Sequence, residues 1–255
     1  MPDLRIGLVQ MRCEKGAIAA NLGAIASHLR DGAGQGAAIM CFPEGSITGY
    51  VVPTRYPEAV VQLDGPEVTQ FVALTRDVPL MAIAGIIEAN PAGKPFITQV
   101  VAQGGHLLGF YRKRTIPYDE SAMYASGSDC AVFSHRNVTF GIAICADIDD
   151  AAVFAEATRQ GARLIFEAAA PGLYGSQETR NWRAGFEWWR GECCSKLASY
   201  ARDNHVFIAV ATQAGRTADE DFPGGGYVFG PAGSCMHATP DWSEGVLYAT
   251  LQLDQ

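Results

Sequence analysis

Basic residues are in short supply: 19 lysines and arginines stand against 27 aspartates and glutamates, for a formal net charge of −8. A polyanionic partner needs clustered positive side chains, so nucleic acid is not an expected ligand. The seven cysteines (Cys13, Cys41, Cys130, Cys145, Cys193, Cys194, Cys235) are odd in number and contain no CxxC pair. This lack of regular spacing argues against a disulfide framework, a zinc site or a dithiol redox centre, and for reduced thiols. Uncharged stretches exist, such as 222–240, but that one carries five glycines and three prolines and cannot be a membrane helix. The opening segment MPDLRIGLVQM has Asp3 where a signal peptide wants positive charge, and too few apolar residues for a hydrophobic core. A cytoplasmic location is therefore expected, with no membrane partner. Repeats, low-complexity tracts and polar linkers are also missing, so the expectation is one domain over 1–255.

What is present is an ordinary core-forming composition, 48% hydrophobic and 18% charged over 255 residues. A chain of that size can bury roughly 75% of its unfolded surface in one unit. Short runs rich in Val, Ile and Phe alternate with Ala-rich stretches, which predicts an α/β architecture. RIGLVQM near residue 5 and 37–42 read as strands, with a helix over 17–30 between them. Strands are predicted at 79–87, 96–103 and 106–113, the last two joined through Gly104-Gly105, a hairpin signal that mixes antiparallel pairing into the sheets. A second hairpin covers 131–145 with Arg136-Asn137 at its tip, followed by a helix over about 150–160. Further strands fall at 163–168, 206–211, 226–229 and 246–252. Ten to twelve strands with roughly four helices suggest two stacked sheets with helices outside.

Three strand ends carry chemistry, because loops there hold side chains over a rigid platform. In CFPEGSITGY (41–50), Glu44 follows a buried strand, where partial desolvation would raise its pKa and suit it to general-base work. A loop glutamate capping a backbone amide fits the same segment. In YRKRTIPYDE (111–120), Lys113 ends a strand and Glu120 lies seven residues on; a fixed ammonium there would stabilise an oxyanion. Arg112, Lys113 and Arg114 also fit a solvated basic patch. In VTFGIAICADIDD (138–150), an apolar strand delivers Cys145 to a turn, the shape of a nucleophile elbow, with the Ala146 N–H as an oxyanion donor. A core cysteine is the plainer reading of that residue.

Taken jointly, Glu44, Lys113 and Cys145 in this order resemble the carbon-nitrogen hydrolase (nitrilase) superfamily, in its amidase-like branch. GARLIFEAAAP (161–171), ARDNHVFIAVATQAG (201–215) and GGGYVFGPAGSCM (224–236) extend the resemblance along nearly the whole chain. It implies a four-layer αββα sandwich with two mixed sheets, a homodimer or larger homo-oligomer, and no cofactor or metal. It also implies roles: Glu44 as general base, Lys113 as stabiliser of the tetrahedral intermediate, Cys145 as nucleophile, Glu120 as the additional glutamate. The implied reaction is thiol-dependent cleavage of the C–N bond of a small linear amide or carbamoyl compound through a cysteine thioester. A non-catalytic binding or scaffold protein of the same fold, and an acyltransferase to an amine, are the alternatives.

The run after the cysteine, Ala146-Asp147-Ile148-Asp149-Asp150, departs from the family pattern. Asp147 is kept, but acidic Asp149 stands near where an arginine often lies, which argues against an anionic substrate. If Asp149 or Glu167 faces the pocket, a cationic amine is favoured by charge complementarity. Asp149 and Asp150 also fit as helix caps. Tyr50 and Tyr118, beside Glu44 and Glu120 in sequence, are candidate pocket residues. The segment 172–192 holds three of the four tryptophans and fits either an aromatic wall or a packed core or subunit interface. The five histidines are read as structural.

Overall fold

The computed structural model describes residues 3–253. β1 (Leu4–Gln10), α1 (Ile18–Gly34) and β2 (Ile39–Cys41) form the opening unit; a 3₁₀ turn at Pro57–Ala59 then leads to β3 (Val60–Val61), α2 (Pro66–Leu74), β4 (Met81–Glu88), β5 (Phe96–Gln103) and β6 (His106–Arg112). After a long connection come β7 (Val132–His135), β8 (Val138–Ile144), a 3₁₀ turn at Cys145–Asp149, α3 (Ala151–Arg159), β9 (Leu164–Ala169) and α4 (Trp182–Asn204). The chain closes with β10 (Phe207–Thr212), β11 (Ala214–Arg216), β12 (Asp221–Pro223), β13 (Gly226–Phe229), β14 (Cys235–Ala238) and β15 (Gly245–Leu251).

The strands sort into a seven-stranded sheet ordered β15-β1-β2-β4-β5-β6, with β3 beside β4, and a six-stranded sheet ordered β14-β13-β10-β9-β8-β7. In each, three central strands run parallel (β1, β2, β4 and β8, β9, β10) and the flanks are antiparallel, apart from the short β3, which runs parallel to β4. Both sheets are thus mixed, as the hairpin signals predict. At each tip two successive residues have positive φ, Gly104 (58°) with Gly105 (80°) and Arg136 (49°) with Asn137 (65°), the conformation that a two-residue hairpin turn requires.

Alternation along the strands builds the layers. Leu4, Ile6 and Leu8 of β1, and Met81, Ile83 and Ile87 of β4, share one core with Phe140, Ile142, Leu164 and Phe166 of the second sheet. Residues of opposite parity, including Met40, Ala82, Ala84 and Ile86, pack with Leu22, Ile25 and Leu29 of α1 and Phe71 of α2. Each such buried Leu or Ile contributes about 1.5–3 kcal/mol relative to exposure. On the far side, Val153 and Phe154 of α3 and Leu197 of α4 close the second sheet. The result is an αββα sandwich. Among the described residues no helix is long and apolar enough to cross a membrane.

The strand count exceeds the ten to twelve read from sequence because β3, β11, β12 and β14 are only two to four residues long.

Candidate active site

Each functional side chain sits just past the end of a strand. Pro43 and Glu44 follow β2, and the loop that carries them is stitched to β4: Ile47 N donates to Gly85 O at 2.8 Å, Gly85 N to Ser46 Oγ at 2.8 Å, and Ile87 N to Thr48 Oγ1 at 3.0 Å. Gly85 is required by this close approach. A Cβ there would stand 3.0 Å from the Glu44 carbonyl carbon and closer still to the Gly45 nitrogen. Lys113 leaves the end of β6 with its N–H on Ile97 O at 2.8 Å.

Cys145 opens the 3₁₀ turn after β8 with φ at 46°, a left-handed conformation uncommon for a side chain with a Cβ and frequent where a nucleophile is presented. The turn is held by Asp147. Its carboxylate accepts from Ile144 N (2.9 Å), Thr115 N (2.8 Å), Arg114 N (3.2 Å) and Tyr111 Oη (2.8 Å). Two of these donors immediately follow Lys113 and one immediately precedes Cys145, so a single buried carboxylate fixes ammonium and thiol relative to each other. Sequence reasoning gave Asp147 no role. Its spacing from Cys145 was visible, but its partners in 111–115 were not.

At the centre, Lys113 Nζ donates to Glu44 Oε1 at 2.9 Å, with both side chains essentially inaccessible (1% and 0%). Glu44 Oε2 accepts from Ala170 N at 3.0 Å, at the end of β9. Glu120 Oε2 lies 3.7 Å from the same ammonium, and Glu120 Oε1 accepts the Tyr50 hydroxyl. Cys145 shares the pocket wall with Lys113 and Glu120, and the Lys113 and Glu44 charges both act on its thiol.

Charge follows from this packing. Burial drives the Glu44 carboxyl above its ordinary range, partly opposed by Lys113. Burial alone would depress Lys113, but Glu44, Cys145 and Glu120 outweigh it and lock the ammonium on. Burial and the Glu44 charge push the Cys145 thiol well up, against Lys113 and the Ala170 N–H. Burial thus opposes ionisation of this thiol.

Cys145, Ala146, Lys113, Glu120 and Tyr50 open onto one pocket of about 390 Å³, with Ile148, Asp149, Leu173, Tyr174, Trp188, Trp189 and Lys196 further out. Glu44 lies behind them, out of solvent. Tyr118, expected to line this pocket, does not: it is 96% exposed. Glu120 turns inward within the same short turn and Tyr118 faces water. Glu167 also fails to reach the pocket. It is wholly buried on β9, opposite Ala143 of β8, with neither carboxyl oxygen hydrogen-bonded, and burial raises its pKa far above the ordinary value.

The two aspartates after the turn divide their duties. Asp150 caps α3 by accepting from Ala152 N at 2.9 Å, whereas Asp149 reaches the pocket mouth and pairs with Lys196 at 2.6 Å. The tryptophans divide too: Trp189 is buried, with Nε1 donating to Thr212 Oγ1 at 2.9 Å, and Trp188 is 43% exposed at the pocket. None of the five histidines lines this pocket.

Comparison with known proteins fits this arrangement. The family profile described as carbon-nitrogen hydrolase matches residues 5–255. A glutamine-dependent NAD(+) synthetase of Acinetobacter baylyi is 21% identical over 260 residues, covering 100% of this chain and 45% of that protein. A Mycobacterium tuberculosis protein named as a hydrolase is 27% identical over 176 residues, 66% of this chain and 62% of its own length. The chain thus spans less than two thirds of each of these relatives. Among solved structures, a mutant amidase from Nesterenkonia sp. AN1, described as showing covalent addition of the acetamide moiety of fluoroacetamide at the active-site cysteine, superposes with a TM-score of 0.83 at 22% identity. That match covers 98% of this chain and 90% of the amidase, and shows a shared fold.

Proposed function

Because the chain belongs to the carbon-nitrogen hydrolase family, we propose that it cleaves the C–N bond of a small linear amide or carbamoyl compound through a thioester on Cys145. The observation that carries this reading is the inaccessible Lys113–Glu44 ion pair at 2.9 Å, set against the thiol at the floor of the pocket. A buried lysine and glutamate beside a cysteine have no packing rationale, since apolar side chains would fill the space at lower desolvation cost.

In the proposed cycle Glu44 takes the Cys145 proton as sulfur attacks the carbonyl carbon. The Lys113 ammonium and the Ala146 N–H hold the oxyanion, a type of stabilisation worth about 3–4 kcal/mol per donor in well-studied cases. The intermediate collapses as Glu44 returns the proton to the departing nitrogen, releasing ammonia or an amine. Water, deprotonated by Glu44, then attacks the thioester; collapse of the second intermediate expels the thiolate, which regains its proton, and frees the acid. A carboxyl raised by burial suits both directions of transfer near neutral pH. Glu120, fixed by Tyr50, keeps Lys113 aimed at the reacting oxygen.

Ammonia release from a panel of short amides and carbamoyl compounds tests this reading. Wild type is expected to turn over at least one, and a folded Cys145→Ala protein none. Equal rates in the two proteins would refute it.

A further inference from the structure

The loop between β9 and α4 stands between two cavities. The pocket that holds Cys145 and a second hollow of about 380 Å³ share Leu173, Tyr174 and Trp188. Gly185, in the first turn of α4, lines only the second hollow. It stands directly behind Leu173: a Cβ built there would meet Leu173 Cδ1 at 2.6 Å. The Leu173 side chain is therefore an apolar partition, with Cys145 on one side and the second hollow on the other. The backbone that carries it is held at several points. Ala170, within about 11 Å of it along the chain, donates to Glu44 at 3.0 Å, and Leu173 N donates to Asp221 O at 2.9 Å. Arg180 donates to three successive carbonyls, Leu173 O at 2.8 Å, Tyr174 O, and Gly175 O at 3.1 Å, and its Nε donates to the inaccessible Asp221 carboxylate at 3.0 Å. A guanidinium suits this task because its donors are fixed in one plane. One side chain thus sets the curl of the loop at 173–175.

We propose that Leu173 determines the length of acyl chain the site accepts, closing the Cys145 pocket against the second hollow so that short amides fit and longer ones collide with it. This rests on the reading of Cys145 as the acylated nucleophile and deepens it with a limit on chain length. A straight acyl chain that starts at Cys145 can run onto Leu173 because both residues face the same cavity of about 390 Å³. A missing or displaced methylene in such a wall is worth about tenfold in selectivity. Two substitutions act on the partition from opposite sides. Leu173→Ala removes it and joins the two cavities. Gly185→Ala adds a methyl from the far side and pushes Leu173 towards Cys145. Alanine is also the better helix former, so that change should not cost the fold. A leucine that merely packed the loop against α4 would not move the length preference in opposite directions.

Calorimetric titration of the Cys145→Ala protein with acetamide, butanamide and hexanamide reads the length preference without turnover, alone and with each substitution added. The ratio of hexanamide to acetamide affinity is expected to rise about tenfold with Leu173→Ala and to fall about tenfold with Gly185→Ala. In the corresponding proteins that keep the thiol, kcat/KM for ammonia release should shift with it. The same ratio in all three proteins, a shift of the same sign in both variants, or binding of none of the amides would overturn the proposal. Failure of the underlying reading appears separately, as amide hydrolysis that survives loss of the Cys145 thiol.

Discussion

Replacing Lys113 by methionine should produce a loss of stability that grows with pH. The ammonium touches Glu44 Oε1 at 2.9 Å and lies 3.7 Å from Glu120 Oε2, and Glu44 has no access to water. Without it, Glu44 keeps only the Ala170 N–H and must either stay ionised in the interior or take up a proton. Burial already raises its pKa in the intact protein, and removing Lys113 raises it further. A carboxyl raised by folding contributes stability that is complete below its unfolded pKa of about 4.3 and is lost as pH rises towards the folded value. The slope approaches about 1.4 kcal/mol per pH unit. The variant should therefore lose about 1 kcal/mol near pH 5 and about 3–5 kcal/mol near pH 8, the upper figure being the usual cost of stranding one member of a buried pair. Urea unfolding across that range, on wild type, Lys113→Met, Glu44→Gln and the double variant, measures it. The double variant should be more stable than Lys113→Met at pH 8 and similar at pH 5, because glutamine copies the neutral carboxyl. A loss that is the same at both pH values and is not relieved by Glu44→Gln would refute the coupling of these two residues.

Three further outcomes follow from the same geometry. Glu167→Gln should flatten the decline of wild-type stability between pH 5 and 8, since the buried Glu167 carboxyl is also raised and its protonated form is progressively harder to keep; melting temperatures across that range show whether the slopes differ by up to about 1.4 kcal/mol per unit. Gly85→Ala should destabilise the fold by about 1–3 kcal/mol and lower turnover, because the added methyl meets the Glu44–Gly45 backbone; full activity would show that the loop yields freely. Asp147→Asn retains only one accepting oxygen for the donors on Ile144, Arg114, Thr115 and Tyr111, so turnover should fall by about tenfold or more while circular dichroism stays native. An unchanged rate would remove Asp147 from the positioning of Cys145.

The parts of this architecture legible in the sequence were those written in local patterns. Short apolar runs marked β4, β5 and β8, the Gly104-Gly105 and Arg136-Asn137 tips marked hairpins, and Glu44, Lys113 and Cys145 stood out because each follows a strand. α2 was not read, although Pro66 opens it, because Val68, Thr69 and Val72 look as much like a strand as a helix. Tyr118 and Glu120 are two residues apart and face opposite ways, a distinction that the turn makes and residue type does not. The contacts that assemble the site join distant segments: Glu44 to Ala170 across 126 residues and Tyr111 to Asp147 across 36. No local pattern encodes such pairings. The Asp149–Lys196 ion pair belongs with them, since its members are 47 residues apart and meet only once α4 packs over the turn.

The central claim is that a carbonyl carbon becomes bonded to the sulfur of Cys145. Acid-quenched protein, taken during turnover of an amide and digested, should yield the Cys145 peptide heavier by the mass of the amide less ammonia. That adduct should be lost on treatment with hydroxylamine and absent from Cys145→Ala. Steady turnover with the added mass on another residue, or with none on Cys145, would contradict the account.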